Sequence, residues 1–86
     1  MVTLEDATIN SKNYLAKMKG LDMNFSGRPI IDYLDFTVLK SEETTEDYIL
    51  TVDFISGMFS TMRSRFKLKI DKKTGIVKEV ERIIEK

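Results

Sequence analysis

Arg63, Arg65, Lys67 and Lys69 occupy alternate positions of one short stretch, and Met62, Phe66, Leu68 and Ile70 hold positions of the other parity. Successive side chains of a strand point to opposite faces, so this spacing predicts a strand with one apolar and one cationic face. Cations two apart on a strand lie about 7 Å from one another, similar to the phosphate spacing of an extended single strand. With Lys72 and Lys73 in the following turn, the row could grip nucleic acid or another polyanion. Single-strand binders usually interleave aromatic rings for stacking, and the nearest ring here, Phe66, has the apolar parity. The plainer reading is a solvated strand face offset by Asp53, Glu79 and Glu81 on neighbouring strands.

A second constellation is Asp22-x-Asn24-x-Ser26-Gly27, which matches the first half of a calcium loop: oxygen side chains at alternate positions, then a glycine for the turn. Where an EF-hand places its closing glutamate this chain has Tyr33, and Pro29 falls inside the loop. Asp32 and Asp35 are near in sequence and could substitute. The alternative is a connecting loop in which Asp, Asn and Ser bond their own backbone. Asp32, Asp35 and Asp53 also qualify as acid–base candidates. Asp35 and Asp53 alternate with apolar residues, however, and are expected to face solvent, where nothing shifts a carboxyl pKa strongly. There is no cysteine and no histidine, which removes disulfides, thiolate metal sites and the commonest general base. No catalytic residue, metal or cofactor is expected.

The elements that must position these residues are legible in turn. Thr3 with Asp6 fits a helix N-cap with an acid at the third helical position. Leu4, Ala7, Ser11, Tyr14, Leu15, Met18 and Leu21 fall on one stripe, Ile9 lies opposite it, and Gly20 is a plausible stop. The spacing predicts a helix over 4–19. Residues Asp22 to Pro29 read as a loop. Within 30–40 the alternation of Leu34, Phe36 and Val38 signals a strand, and residues 41–47 read as a turn. Residues 48–55 alternate Tyr48, Leu50, Val52 and Phe54 with Ile49, Thr51, Asp53 and Ile55. A turn in 56–60 precedes the cationic strand. Asp71 to Gly75 reads as a hairpin turn, with Gly75 placed for the left-handed conformation. The last segment, 76–86, fits a strand or a helical stripe; its five β-branched residues and the tight turn before it favour the strand.

These elements give one domain over 1–86, of class α+β: an N-terminal helix packed on a four-stranded antiparallel meander, in the order α-β-β-β-β. The helix is expected to cover Leu34, Phe36, Val38, Leu50, Val52, Phe54, Phe66, Leu68 and Ile70. Pairing Val52 with Ser64 and Leu50 with Phe66 puts Asp53 opposite Arg63 on the outer face.

The order of helix and meander, closing in Phe66, Leu68, Ile70, Asp71, Thr74, Gly75, Val77 and Val80, resembles the small PepSY-type domains with their cystatin-like outline. That resemblance implies an inhibitory or interaction module. The same tail, through Asp71, Gly75 and Arg82, is also similar to a gas-vesicle accessory family.

Formal net charge is zero, but it is polarised along the chain. Residues 1–55 hold five cations and ten carboxylates, net −5, and residues 56–86 hold nine and four, net +5. The start, MVTLEDATIN, lacks a basic and apolar leader, and no run of residues is apolar enough for a membrane span, so a cytoplasmic location is expected. On the outer face Ile49 and Ile55 share the phase of Asp53, Leu39 that of Asp35, and Tyr33 and Met58 lie near strand ends. The leading expectation is a non-catalytic interaction module binding a protein, or a second copy of itself, through Arg63, Arg65, Lys67, Lys69, Ile49 and Ile55. Polyanion binding through the four cations is the alternative. It predicts affinity that falls steeply with salt.

Overall fold

The computed structural model describes residues 1–84. Helix α1 spans Leu4–Lys19. Its start is a capping box: Thr3 Oγ1 accepts from the Asp6 amide at 3.1 Å, and the Thr3 amide donates to the Asp6 carboxylate at 3.2 Å. Its end is Gly20 in the left-handed conformation, φ 70°, after which the Leu21 amide returns to the Ala16 carbonyl. Both ends are local chemistry, and both stand where the spacing predicts.

After α1 the chain forms a small hairpin, β1 (Asn24–Phe25) and β2 (Arg28–Pro29), then a 3-10 turn at Ile30–Tyr33. Strands β3 (Thr37–Glu43), β4 (Asp47–Ile55), β5 (Arg63–Asp71) and β6 (Val77–Ile83) follow. They form an antiparallel meander in the order β3-β4-β5-β6. The α+β architecture is therefore as expected, with an added hairpin. Within the segment 76–86 the strand runs Val77–Ile83, as favoured over a helix, and residues 85–86 lie outside the described residues. No helix among the described residues is long and apolar enough to cross a membrane.

The core lies between α1 and the inner sheet face. Leu50, Val52, Phe54, Leu68 and Ile70 are wholly buried, and Phe66 nearly so. Phe36, in the loop before β3, Phe54 of β4 and Phe66 of β5 stack with centroids 6.2 and 5.9 Å apart. Each such ring contributes about 1.5–3 kcal/mol by burial. The helix meets this surface along Ala7, Ser11, Leu15 and Ala16. Small residues let it sit close, and the Ser11 hydroxyl is satisfied by the Ala7 carbonyl at 2.8 Å. The molecule is only 17 Å in its thinnest dimension, the depth of two layers, so no second layer of the described residues covers the outer sheet face.

Several expectations are corrected. The helix stripe is narrower than its periodicity suggests. Leu4, Tyr14 and Met18 stay 42–47 % exposed because they fall at the end or rim of the contact line. Val38, expected under the helix, is 37 % exposed, since α1 packs over β4, β5 and β6. Residues 30–33 are not strand: Pro29 opens a 3-10 turn whose spacing buries Ile31 and Leu34 together. Strand β3 takes residues 41–43 from the expected turn, which contracts to Thr44–Glu46 and is closed by Thr44 Oγ1 accepting from the Asp47 amide. The β4–β5 register is displaced by two residues: Val52 pairs with Phe66, Leu50 with Leu68, and Asp53 with Arg65. The loop absorbs Thr61 and Met62, closing where the Ser56 amide donates to the Met62 carbonyl. A shift of two preserves every face, so Asp53 and Arg63 still share the outer one. Met62 keeps its parity but stands in the loop, 72 % exposed.

The β5–β6 turn ties the layers together. Asp71 Oδ1 accepts from the Lys73 and Thr74 amides at 2.7 and 3.3 Å, and Gly75 adopts φ 77°. Asn10 of α1 donates to the Gly75 carbonyl at 3.0 Å, and the Val2 amide to the Lys72 carbonyl at 2.8 Å. Tyr48 then bonds the Val2 carbonyl, and buried Lys72 lies over its ring while reaching Glu43.

A Cβ on Gly75 would stand 2.7 Å from the Asn10 amide nitrogen, in a backbone conformation that side chains avoid. Gly75→Ala should cost about 1–3 kcal/mol by urea unfolding. Gly57→Ala, which meets open space at an ordinary φ, should stay within about 0.5 kcal/mol. The Lys73 amide above all holds the Asp71 carboxyl below the ordinary aspartate range; burial opposes it, and the Thr74 amide adds to the lowering. The folded value is the lower one, so this stabilisation is present above the unfolded pKa and is lost as pH falls through the folded one. A carbon-detected NMR titration should give Asp71 a midpoint below that of aspartate in an unstructured peptide.

Candidate interaction surface

Strand β5 presents all four predicted cations on the outer face, facing Ile55, Asp53, Thr51 and Ile49 of β4 in register. Their charges are largely taken up within the sheet. Arg63 Nη2 donates to Asp53 Oδ1 at 2.7 Å and to the Asp35 carbonyl at 2.9 Å, while Nη1 reaches the Asp35 carboxylate at 3.0 Å. Arg65 Nη2 stands 3.7 Å from the other Asp53 oxygen, and Lys69 Nζ 3.6 Å from Glu79. Lys67 is exposed, between Thr51 on one side and Glu81 on the other. The hydrogen bond to Asp53, then that to Asp35, raises the Arg63 pKa further above an already high value, against the lowering effect of burial.

Two aspartates depart from expectation in different ways. Asp35 faces solvent as expected, but in the left-handed region, φ 54°, which aims its carbonyl and its carboxylate at the same guanidinium. Aspartate tolerates that conformation better than most residues. Asp53 lies on the outer face as the alternation requires, yet it is only 6 % exposed, so its expected exposure is corrected. Flanking arginines from the next strand close over it. Alternation predicts which way a side chain points; it does not predict what lies on top.

Ile49 and Ile55 do not meet. They stand six positions apart on β4, about 20 Å along an extended strand, with Thr51 and Asp53 between. Ile55 packs against the core cluster, and Ile49 edges a shallow cleft beside Lys67, Lys69 and Glu79. Tyr33 and Met58 are each 42 % exposed, and Leu39, at a β-bulge, 46 %.

The calcium-like segment is the β1–β2 hairpin. Its turn residues Ser26 and Gly27 have φ 52° and 85°, the paired positive values of a type I′ turn. Phe25 and Tyr33 pack edge to face at 5.7 Å, and Asp32 is engaged by Lys12 at 2.6 Å. The described residues contain no group of three or more acidic side chains arranged to hold a metal ion.

A different surface emerges at the far end of the sheet. The β4–β5 loop carries Met58 at 42 %, Phe59 at 101 % and Met62 at 72 % exposure, and Ile84 beyond β6 is 77 % exposed. Met62, Ile83 and Ile84 line an open cleft of about 310 Å³ together with Arg63, Arg65 and Arg82. The loop is braced: the Ser60 amide donates to the Gly57 carbonyl, the Met62 amide to Ser60 Oγ, and the Ser56 and Ser64 hydroxyls bond at 2.8 Å. Of these residues the sequence singles out only Met58, near a strand end. The run Met58-Phe59 between turn residues was the available signal, because an apolar pair inside a turn has no strand face to join.

Comparison with known protein families, characterised proteins and solved structures finds no match to this chain. The fold is therefore defined by its own topology, a two-layer α+β domain with one sheet face bare.

Removing the Asp53 carboxylate leaves Arg63 without its closest partner. Asp53→Ala should lower stability by about 1–3 kcal/mol in a urea titration. It should also delay elution from heparin, since the outer face then carries uncompensated positive charge.

Proposed function

We propose that this protein is a non-catalytic interaction module that captures a partner protein on the apolar, arginine-flanked end of its sheet. The observation that carries the reading is Phe59, a fully exposed ring on a loop braced by its own hydrogen bonds. Water penalises an exposed ring, and a braced loop cannot fold it away. Met62 and Ile84 are exposed at the same end of the sheet, and Arg82 lines their cleft with no ion pair to any described residue. Aromatic residues, methionine and arginine are the types enriched at protein interfaces. The matching partner is an apolar segment carrying a carboxylate that reaches Arg82.

The one carboxylate among the described residues lining the cleft, Asp53, is covered by Arg63 and Arg65, which supports binding over acid–base chemistry. A polyanion on the basic row would have to displace Asp35, Asp53 and Glu79 from the cations they hold, which disfavours that alternative. The resemblance to PepSY-type domains points the same way.

The test is a photo-crosslinking phenylalanine analogue placed at Phe59 in the cells that make the protein. It should yield a discrete adduct, shared by the probe at Met62, missing with the probe at exposed Asn13, and abolished by Arg82→Glu. An adduct set identical for Phe59 and Asn13, or none at Phe59, overturns the proposal.

A further inference from the structure

Strand β3 is bonded to β4 along one side only, and its other side is an open edge of the sheet. Helix α1 packs mainly over β4, β5 and β6, and no strand among the described residues pairs with that edge. Lys40 and Glu42 stand on the outer face, opposite Thr51 and Ile49 of β4, with Ser41 between them. They pair with one another at 2.7 Å, and both side chains remain well exposed.

We propose that two copies of this chain join through β3, antiparallel about Ser41, to make a continuous eight-stranded sheet. In that register Lys40 of each copy lies opposite Glu42 of the other, so two opposite-charge pairs flank a small neutral residue on the axis. Sliding the axis to Lys40 or to Glu42 would set two like charges face to face. The charge pattern of β3 thus selects one register. The bulge at Leu39 limits the seam on one side and the Thr44 turn limits it on the other. On the inner face Ser41 shares a cleft with Leu4, 42 % exposed at the start of α1, so the two-fold also brings the two Leu4 side chains toward each other. The opposite edge, β6, lacks this property: pairing about its midpoint Val80 would oppose Lys78 to Arg82 and Glu79 to Glu81. The seam is separate from the Phe59 end, and the inference does not depend on the function proposed for it.

The test is sedimentation equilibrium of the whole chain across a dilution series at low salt. The wild type should approach twice the 10.0 kDa chain mass. Lys40→Glu and Glu42→Lys each give a chain with one sign at both positions, and each should weaken self-association by about tenfold or more. An equimolar mixture of the two should recover the dimer, because the acidic chain then faces the basic one. Both substitutions are on exposed side chains, and circular dichroism should show each variant folded. A wild type that stays monomeric overturns the proposal, as does a dimer indifferent to single reversals. A mixture that remains monomeric while the wild type dimerises overturns the register about Ser41.

Discussion

A single helix has to cover four strands, and it is too narrow to do so. An α-helix with its side chains is about 10–12 Å across, whereas four strands spaced about 4.8 Å apart need roughly 15–19 Å of cover. The chain resolves the mismatch by placing α1 over β4, β5 and β6 and using small contact residues, Ala7, Ser11 and Ala16, to bring it close. Most of the remaining architecture follows. The first turn after the hairpin buries Ile31 and Leu34 to fill what the helix cannot reach. Phe36 stacks on Phe54 at the margin, and β3 is left as an edge whose inner face includes the partly exposed Val38.

Among the described residues the outer sheet face has no second layer, and electrostatics takes over there from packing. A row of four cations on a bare face would repel itself. Asp53 from β4, Asp35 from the loop before β3 and Glu79 from β6 reach Arg63, Arg65 and Lys69 from both sides. The polarisation of charge along the chain, acidic first and basic later, is thereby folded into a locally balanced surface. Exposed pairs of this kind contribute little each, but Asp53 is buried and its bond to Arg63 is charge-assisted, so that link matters more than the rest.

The N-terminal residues and the β5–β6 turn supply the cross-links that a protein without disulfides must find elsewhere. Asn10 to Gly75, Val2 to Lys72 and Tyr48 to Val2 join helix, hairpin and central strand in one network. At the opposite end of the sheet the exposed apolar side chains include Phe59, Met62 and Ile84. Met62 and Ile84 share a cleft there, and Phe59 is exposed on the β4–β5 loop at the same end, because that loop and the end of β6 lie at one end of the sheet.

How much of this was legible depended on the range of the interaction involved. Sequence alone determined α1 and both its caps, the inward and outward parity of β4 and β5, and the left-handed Gly75, because each is set by residues within a few positions of one another. It also placed Arg63, Arg65, Lys67 and Lys69 on one face correctly. Alternation fixes a strand's register only to within a multiple of two, so the two-residue displacement of Val52 against Phe66 had to come from the loop that absorbs Thr61 and Met62. Likewise parity could send Asp53 outward but could not show two arginines closing over it. Periodicity could favour Leu4, Tyr14 and Met18 but not show that the helix contact line passes them by. Those outcomes belong to tertiary structure, since burial depends on which distant segment arrives above a residue, and a linear pattern carries no record of that.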